Sequence, residues 1–73
     1  MKRSDLTNLV YTTNSLAGEV VIAQNKLFEL WVEVSFDGRE PSDYRFGGEY
    51  LTLNEALDAV QYQVEMTNSL YHD

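Results

Sequence analysis

The chain has 73 residues, a net charge of −7 and no cysteine. A chain of this length buries only about 60% of its unfolded surface on folding, so we expect one domain over residues 1–73 with a small margin of stability. The lack of cysteine excludes disulfides, thiolate metal sites and cysteine nucleophiles, which favours a reducing, cytoplasmic environment. We also expect no signal peptide and no membrane-spanning segment, because no apolar run has the required length.

The negative charge is concentrated in the last two thirds of the chain. Residues 27–73 carry a net charge of −8, and their only basic residues are Arg39 and Arg45. Phosphate backbones and anionic lipid surfaces would be repelled by this charge, so direct binding to nucleic acid or to a membrane is not expected. The excess acid either keeps a small protein soluble or faces a basic partner protein.

The N-terminal third fits two structures. At helical spacing, residues 4–25 place an apolar stripe on one side, with Ser4 as a cap. As strands, residues 9–13 and 19–23 flank a turn, and the β-branched run at residues 20–22 prefers this structure. We favour an N-terminal helix, because the outward face of a strand over residues 20–23 would need a second apolar layer that a two-layer domain of this size lacks.

Residues 26–37 have the pattern of a half-buried strand. Apolar side chains occupy alternate positions: Phe28, Leu30, Val32, Val34 and Phe36. The positions between them are Glu29, Trp31, Glu33 and Ser35. Since successive side chains of a strand lie on opposite faces, the first set should face the core and the second should face water. Trp31 is then either an exposed anchor for a partner or a core residue beneath the N-terminal segment.

A returning strand and a helix should follow. Asp37 and Gly38 indicate a turn, residues 39–43 an exposed loop, and residues 44–51 an antiparallel strand with a bulge at Gly47 and Gly48. Residues 52–55 spell a capping box, which starts a helix at residue 53 that should end near residues 68–70. The apolar helix face comprises Leu53, Ala56, Leu57, Val60, Val64 and Tyr71. The predicted class is therefore α+β: an antiparallel sheet of two to four strands packed on one face by the C-terminal amphipathic helix.

Few residues suit catalysis or metal binding. His72 is the only histidine and lies next to the last residue of the chain. Glu29 and Glu33 would be about 13 Å apart along a strand, too far for a carboxylate dyad. Asp37, Glu40 and Asp43 recur at every third residue, which does not match the alternating ligands of a calcium loop. We therefore expect no enzyme activity, no cofactor and no metal site.

The remaining features favour a non-catalytic module that docks an acidic surface, dotted with aromatic rings, on a basic partner. A partner that handles nucleic acids fits best, because carboxylates compete for the Lys and Arg groups that meet phosphates. In size and charge the chain is similar to the small inhibitors carried by phages and mobile elements, without a shared motif. The candidate partner-binding residues are Glu29, Trp31, Glu33, Asp37, Glu40, Asp43, Tyr44, Phe46, Glu55, Asp58, Tyr62 and Glu65.

The alternative function is a self-associating structural module. The long strand over residues 26–37 could lie at a sheet edge, where unpaired backbone groups recruit a second copy. A homodimer would also support a domain whose own core is small.

Overall fold

The computed structural model describes residues 2–34 and 43–71 of the chain. A short 3-10 turn at Arg3–Asp5 precedes four strands and one helix: β1 (Leu9–Ser15), β2 (Gly18–Gln24), β3 (Phe28–Val34), β4 (Asp43–Tyr50) and α1 (Leu53–Tyr71). The strands form one sheet in the order β1-β2-β3-β4, and each neighbouring pair is antiparallel. Helix α1 packs on one face of the sheet, called here the inner face. The predicted α+β class, with an antiparallel sheet and a C-terminal helix, is confirmed.

The main core lies between the inner face and α1. Its buried side chains are Val20, Ile22, Leu30, Ala56 and Val60, and partly buried residues from both layers surround them. The alternation in β3 is confirmed here, because Leu30 is 2% exposed and Phe28 and Val32 pack against the same cluster. Val34 is half-buried, whereas Phe36 lies outside the described residues. Full burial of each large apolar side chain contributes about 1.5–3 kcal/mol, so this cluster is the principal source of stability.

Helix α1 begins where the capping signal places it. The backbone N–H of Glu55 donates to Thr52 Oγ1 at 3.2 Å, which satisfies one of the free amides of the first turn. The Glu55 carboxylate also lies in that first turn, where the helix dipole favours negative charge. The helix extends to Tyr71, about one residue beyond the predicted end. In the part of the chain that the structure describes, no helix is both long and apolar enough to cross a membrane.

The prediction of an N-terminal helix is wrong. Residues 9–24 form β1 and β2, joined by a two-residue turn at Leu16 and Ala17. The second apolar layer that the helix interpretation assumed to be missing is present. Val21 points to the outer face of the sheet, is 0% exposed, and packs with Leu6 and Tyr44. Since both faces of β2 are buried, the β-branched residues adopt the strand that their local preference favours.

The outer layer is built by residues 2–8, called here the N-terminal segment. Lys2 forms an isolated antiparallel bridge with Asp43 of β4 at one edge of the sheet. Leu6 is 9% exposed against the sheet, and the carbonyl of Asn8 accepts from the N–H of Gln24 in β2 at 2.9 Å. The segment therefore crosses the outer face from β4 towards β1. The outer face, which was expected to meet water, is covered over Val21 and Tyr44 and stays exposed at Phe46.

The predicted bulge in β4 is confirmed. Leu30 pairs with Gly48 while Trp31 pairs with Phe46, which leaves Gly47 as the extra residue. A Cβ atom at Gly47 would clash with Leu30 Cδ2 in the core, and Gly48 has φ +146°. The bulge brings Phe46 beside Trp31 in an edge-to-face contact with 5.4 Å between ring centroids. The predicted turn at Asp37 and the loop over residues 39–42 lie outside the described residues.

Candidate functional site

A network of polar side chains joins three strands and the N-terminal segment on the outer face. The Tyr44 hydroxyl donates to Glu19 Oε1 at 2.6 Å, and Arg3 Nε donates to the same oxygen at 2.9 Å. On the neighbouring strand, Glu33 Oε1 accepts from the backbone N–H of Glu19 at 2.8 Å. No local sequence pattern marks this network, because Arg3, Glu19 and Tyr44 are far apart in the chain. Neither Arg3 nor Glu19 is among the site residues predicted from the sequence.

The network shifts the acidity of two of its groups. The hydrogen bond from Tyr44 is the main reason that the pKa of Glu19 lies below its usual value, and burial works in the opposite direction. Arg3 lowers the Glu19 pKa further through its hydrogen bond and its charge. Burial raises the pKa of Tyr44 well above the usual tyrosine value, and the Glu19 carboxylate adds to that increase. The network therefore stabilises an ionised Glu19 beside a neutral Tyr44.

A glycine allows the Glu33 carboxylate to approach the backbone. Gly18 has φ +139°, and a Cβ atom there would lie 2.7 Å from Glu33 Oε1. Any other residue would be strained at this φ and would push the carboxylate away from the Glu19 N–H. Gly18 is therefore part of the structural support for the network.

The structure divides the predicted partner-binding residues of the sheet into different environments. Glu29, Trp31 and Glu33 are half-buried, and Phe46 is 52% exposed. Tyr44, which the sequence analysis placed among the exposed aromatics, is only 5% exposed, because Leu6 and Val21 pack against it. These placements favour the core interpretation of Trp31 over the exposed one.

Two further acids of the sheet, Asp43 and Glu29, have their own contacts. Asp43 is exposed, and its carboxylate lies 3.2 Å from Lys2 Nζ. Glu29 lies opposite Glu49 in the register of β3 and β4, and accepts hydrogen bonds from Asn25 Nδ2 at 2.9 Å and Trp31 Nε1 at 3.4 Å. Within residues 2–34 and 43–71, no three His, Asp or Glu side chains are grouped to hold a metal ion. Asp37, Glu40 and His72 lie outside the described residues.

Among the described residues, the acids on the outward side of α1 form no ion pair. We define the acidic helix face as Glu55, Asp58, Tyr62 and Glu65, all of which are exposed. The helix contains no Lys or Arg. The ion pairs recorded among the described residues join Lys2 to Asp43 and Arg3 to Glu19, and none reaches α1. Helical spacing predicts these four residues on one side of the helix, and the structure brings them together there.

The charge and the ring of this face are both available to another molecule. Tyr62 is 65% exposed between the acids, and Met66 beside it is 46% exposed. Glu65 accepts a hydrogen bond from Gln61 Nε2 at 3.2 Å, a contact that leaves its negative charge in place. The arrangement can pair with several cations at once and can bury an aromatic ring between them.

The Tyr44–Glu19 hydrogen bond predicts a specific pH dependence of stability. Because folding lowers the pKa of Glu19, its contribution is present above about pH 4.5 and is lost as the pH falls through the folded-state value. Because folding raises the pKa of Tyr44, its contribution is lost above about pH 10, where the unfolded tyrosine ionises. Tyr44→Phe should cost about 1 kcal/mol at pH 7, a figure discounted because the Glu19 carboxylate is partly exposed, and should weaken both pH-dependent losses of stability.

Urea denaturation between pH 3 and 11 tests this expectation. Tyr62→Phe is the matched control, because the same hydroxyl is removed from a side chain that is 65% exposed on α1. The free energy of unfolding of this control should match that of the wild type at every pH. An unchanged pH profile in Tyr44→Phe would contradict the assigned role of the hydrogen bond.

The chain was compared with known proteins in three ways. No protein-family model matches it. Searches of curated proteins and of solved structures also find no significant match.

Proposed function

We propose that the protein is a non-catalytic binding module whose acidic helix face docks on a basic surface of a partner protein. One observation carries this proposal: three exposed acids, Glu55, Asp58 and Glu65, share one face of a helix that contains no Lys or Arg, and no ion pair recorded among the described residues reaches them. Unneutralised carboxylates lower the stability of an isolated small domain through self-repulsion, and a basic partner would relieve that repulsion.

The helix is a suitable carrier for such a surface. Its opposite side is held in the main core through Ala56 and Val60, so the acidic side is fixed in position. Glu55 and Glu65 are separated by about 15 Å along the helix axis, at a rise of about 1.5 Å per residue. A row of carboxylates of this length can meet several Lys or Arg side chains of one partner, while Tyr62 supplies an aromatic anchor.

The class of partner follows from the same chemistry. Basic surfaces that grip phosphates present arrays of Lys and Arg, and the carboxylates of α1 can occupy those groups in place of a nucleic acid. The proposed role is therefore to bind, and so to block, a protein that handles nucleic acids, as small phage-type inhibitors do. Complementary charge would speed the encounter and make binding sensitive to salt.

A paired set of charge-neutral variants tests the proposal. Glu55→Gln with Asp58→Asn removes two charges from the acidic helix face, and Glu29→Gln with Glu49→Gln removes two from the sheet. Each protein is immobilised and exposed to native lysate in low salt, and the retained proteins are identified by mass spectrometry. Their affinities are then measured individually by calorimetry, and circular dichroism verifies that both variants fold.

The wild-type protein should retain basic, nucleic-acid-handling proteins that DNA or heparin displaces and that high salt releases. The helix variant should bind these proteins about tenfold more weakly or worse, since each charge-assisted contact contributes about 1.5–3 kcal/mol. The sheet variant should bind close to wild type. Equal losses in the two variants, or binding that does not respond to salt, would overturn the proposal.

A further inference from the structure

The strand order decides which edges of the sheet are open to another chain. The self-association alternative places the strand over residues 26–37 at a sheet edge, but β3 is hydrogen-bonded to β2 on one side and to β4 on the other. The edges are instead β1 and β4. The two edges differ in how well they are protected.

Three features of the β4 edge discourage pairing with a further strand. Lys2 already bridges to Asp43 at this edge, charged residues are spread along the strand, and the bulge at Gly47 interrupts its regularity. Charges, bulges and covering segments are the usual means by which proteins prevent edge-to-edge association. The β4 edge is therefore poorly suited to accept another strand.

The β1 edge lacks most of this protection. Leu9–Ser15 contains no charged residue and no proline, and consists largely of residues that favour strands. Val10 and Tyr11 are 44% and 39% exposed. A register irregularity lies between Leu9 and Tyr11, and the pairing is regular from Tyr11 to Ser15. Among the described residues, no strand pairs with the side of β1 that faces away from β2.

The register identifies the backbone groups that this edge presents. Ser15 and Gly18 are partners across a two-residue turn, so they form the hydrogen-bonded pair that closes the hairpin. Since hydrogen-bonded and non-hydrogen-bonded pairs alternate in an antiparallel ladder, Thr13 and Tyr11 bond towards β2. Thr12 and Asn14 then direct their N–H and C=O groups away from the sheet. These groups are placed to pair with an added strand.

A groove on the inner face runs beside the same edge. Helix α1 packs over the centre of the sheet and leaves a depression of about 460 Å³ between itself and β1. The depression is lined by Tyr11, Thr13, Leu57, Val60, Gln61, Val64 and Glu65. Most of this lining is apolar or uncharged, and its only charge is the carboxylate of Glu65. A long aliphatic side chain with a cationic tip fits this chemistry, because its stem can lie on apolar surface while its tip reaches Glu65.

We propose that β1 accepts an extended basic segment of a partner protein, which adds to the sheet as a fifth strand and directs alternate Lys or Arg side chains into the groove. The basic character of the partner rests on the proposed function, whereas the docking edge is a different surface, which shares only Glu65 with the acidic helix face. Charge complementarity favours this occupant over a second copy, because a second copy brings a net charge of −7 and has no basic residue in its own β1. Backbone pairing supplies affinity and alternate side chains supply specificity in strand addition of this kind.

Synthetic peptides of about nine residues provide the probe. One peptide alternates Lys with Val, a second alternates Glu with Val, and a third has the composition of the first with all its Lys residues in one block. Binding to the full 73-residue chain is followed by amide chemical shifts and by hydrogen exchange. The alternating Lys peptide should perturb β1 and slow exchange of the Thr12 and Asn14 amides about tenfold or more. The Glu peptide should not bind, and the block peptide should bind less tightly.

Two variants separate the edge from general charge attraction. Thr12→Pro removes an N–H that points away from the sheet, so the Lys peptide should no longer protect the β1 amides from hydrogen exchange. Thr12→Val keeps that N–H and should bind the peptide as the wild type does. Glu65→Gln leaves the backbone intact and should weaken binding of the Lys peptide several-fold, whereas Glu55→Gln, which removes a charge of the acidic helix face outside the groove, should not. This pair of variants tests the groove even if Thr12→Pro fails to fold. Circular dichroism verifies the fold of each variant.

The outcomes distinguish this inference from the proposed function. Two results would overturn the assignment of β1 as the docking edge and would leave the acidic helix face as the binding surface. In the first, the peptide perturbs only amides of α1. In the second, the peptide still binds to folded Thr12→Pro. A wild-type chain that dimerises without peptide, and becomes monomeric in Thr12→Pro, would assign the edge to a second copy instead. Loss of partner binding in the Glu55 and Asp58 variant alone would support the helix face without supporting the edge.

Discussion

Replacing Ile22 with alanine is expected to lower the melting temperature by about 15–25 °C. Ile22 is 0% exposed at the centre of the main core, where it packs beside Leu30 and Val60. Truncating such a side chain costs about 3–4 kcal/mol, which combines lost burial with the cavity that remains. A 73-residue domain has a total stability of about 4–11 kcal/mol, so this one substitution removes a large part of it.

Thermal and urea denaturation, followed by circular dichroism, measure this effect. Leu70→Ala is the matched control, because Leu70 is an apolar residue of α1 that is 79% exposed. The control should change the free energy of unfolding by about 0.5 kcal/mol or less. A comparable loss in both variants would mean that the sheet and α1 do not pack around Ile22 as described.

Replacing Leu6 with alanine is expected to release the N-terminal segment from the outer face at a cost of about 2–3 kcal/mol. Leu6 is the buried residue through which the segment contacts Val21 and Tyr44, and Trp31 packs partly against the same cluster. Because the other residues of the segment are exposed, the loss should appear first as local detachment. Trp31 should then become more accessible to water while the helix and the main core persist.

Fluorescence of the single tryptophan reports this detachment directly. The Leu6→Ala variant should show a red-shifted emission and stronger quenching by acrylamide, with an unchanged helical signal in circular dichroism. Ser4→Ala is the control, because Ser4 lies in the same segment and is exposed. Unchanged emission in Leu6→Ala, or loss of the helical signal together with the emission change, would contradict the proposed second layer.

The elements that could be predicted from the sequence are those with strong local periodicity. The alternation around Leu30 and Val32 predicts β3 and its core face, and the helical spacing of Ala56 and Val60 predicts the buried side of α1. The cap at Thr52 and the bulge at Gly47 follow from residue types with specific backbone roles. In each case the signal lies within a few neighbouring residues.

The N-terminal strands and the sheet network could not be predicted in this way. The choice between helix and strands for residues 9–24 depended on whether anything covers the outward face of Val21, and the answer is Leu6, which lies in a different segment. The burial of Tyr44 and its hydrogen bond to Glu19 likewise arise from contacts between separate strands. The residue preferences of the N-terminal third favour strands. A helix was predicted there because the domain was assumed to have only two layers, and that assumption is wrong.

The amino-acid sequence by itself determined the α+β class, the inner face of the sheet, the cap of α1 and the acid on its outward side. Only the tertiary structure decided that residues 2–8 form a second layer, that Glu19 and Asp43 are neutralised within the chain, and that β1 is the less protected edge. The physical reason is the range of the interactions. Side-chain periodicity is set by backbone geometry and is visible locally, whereas layer coverage, ion pairing and strand order depend on residues that folding alone brings together.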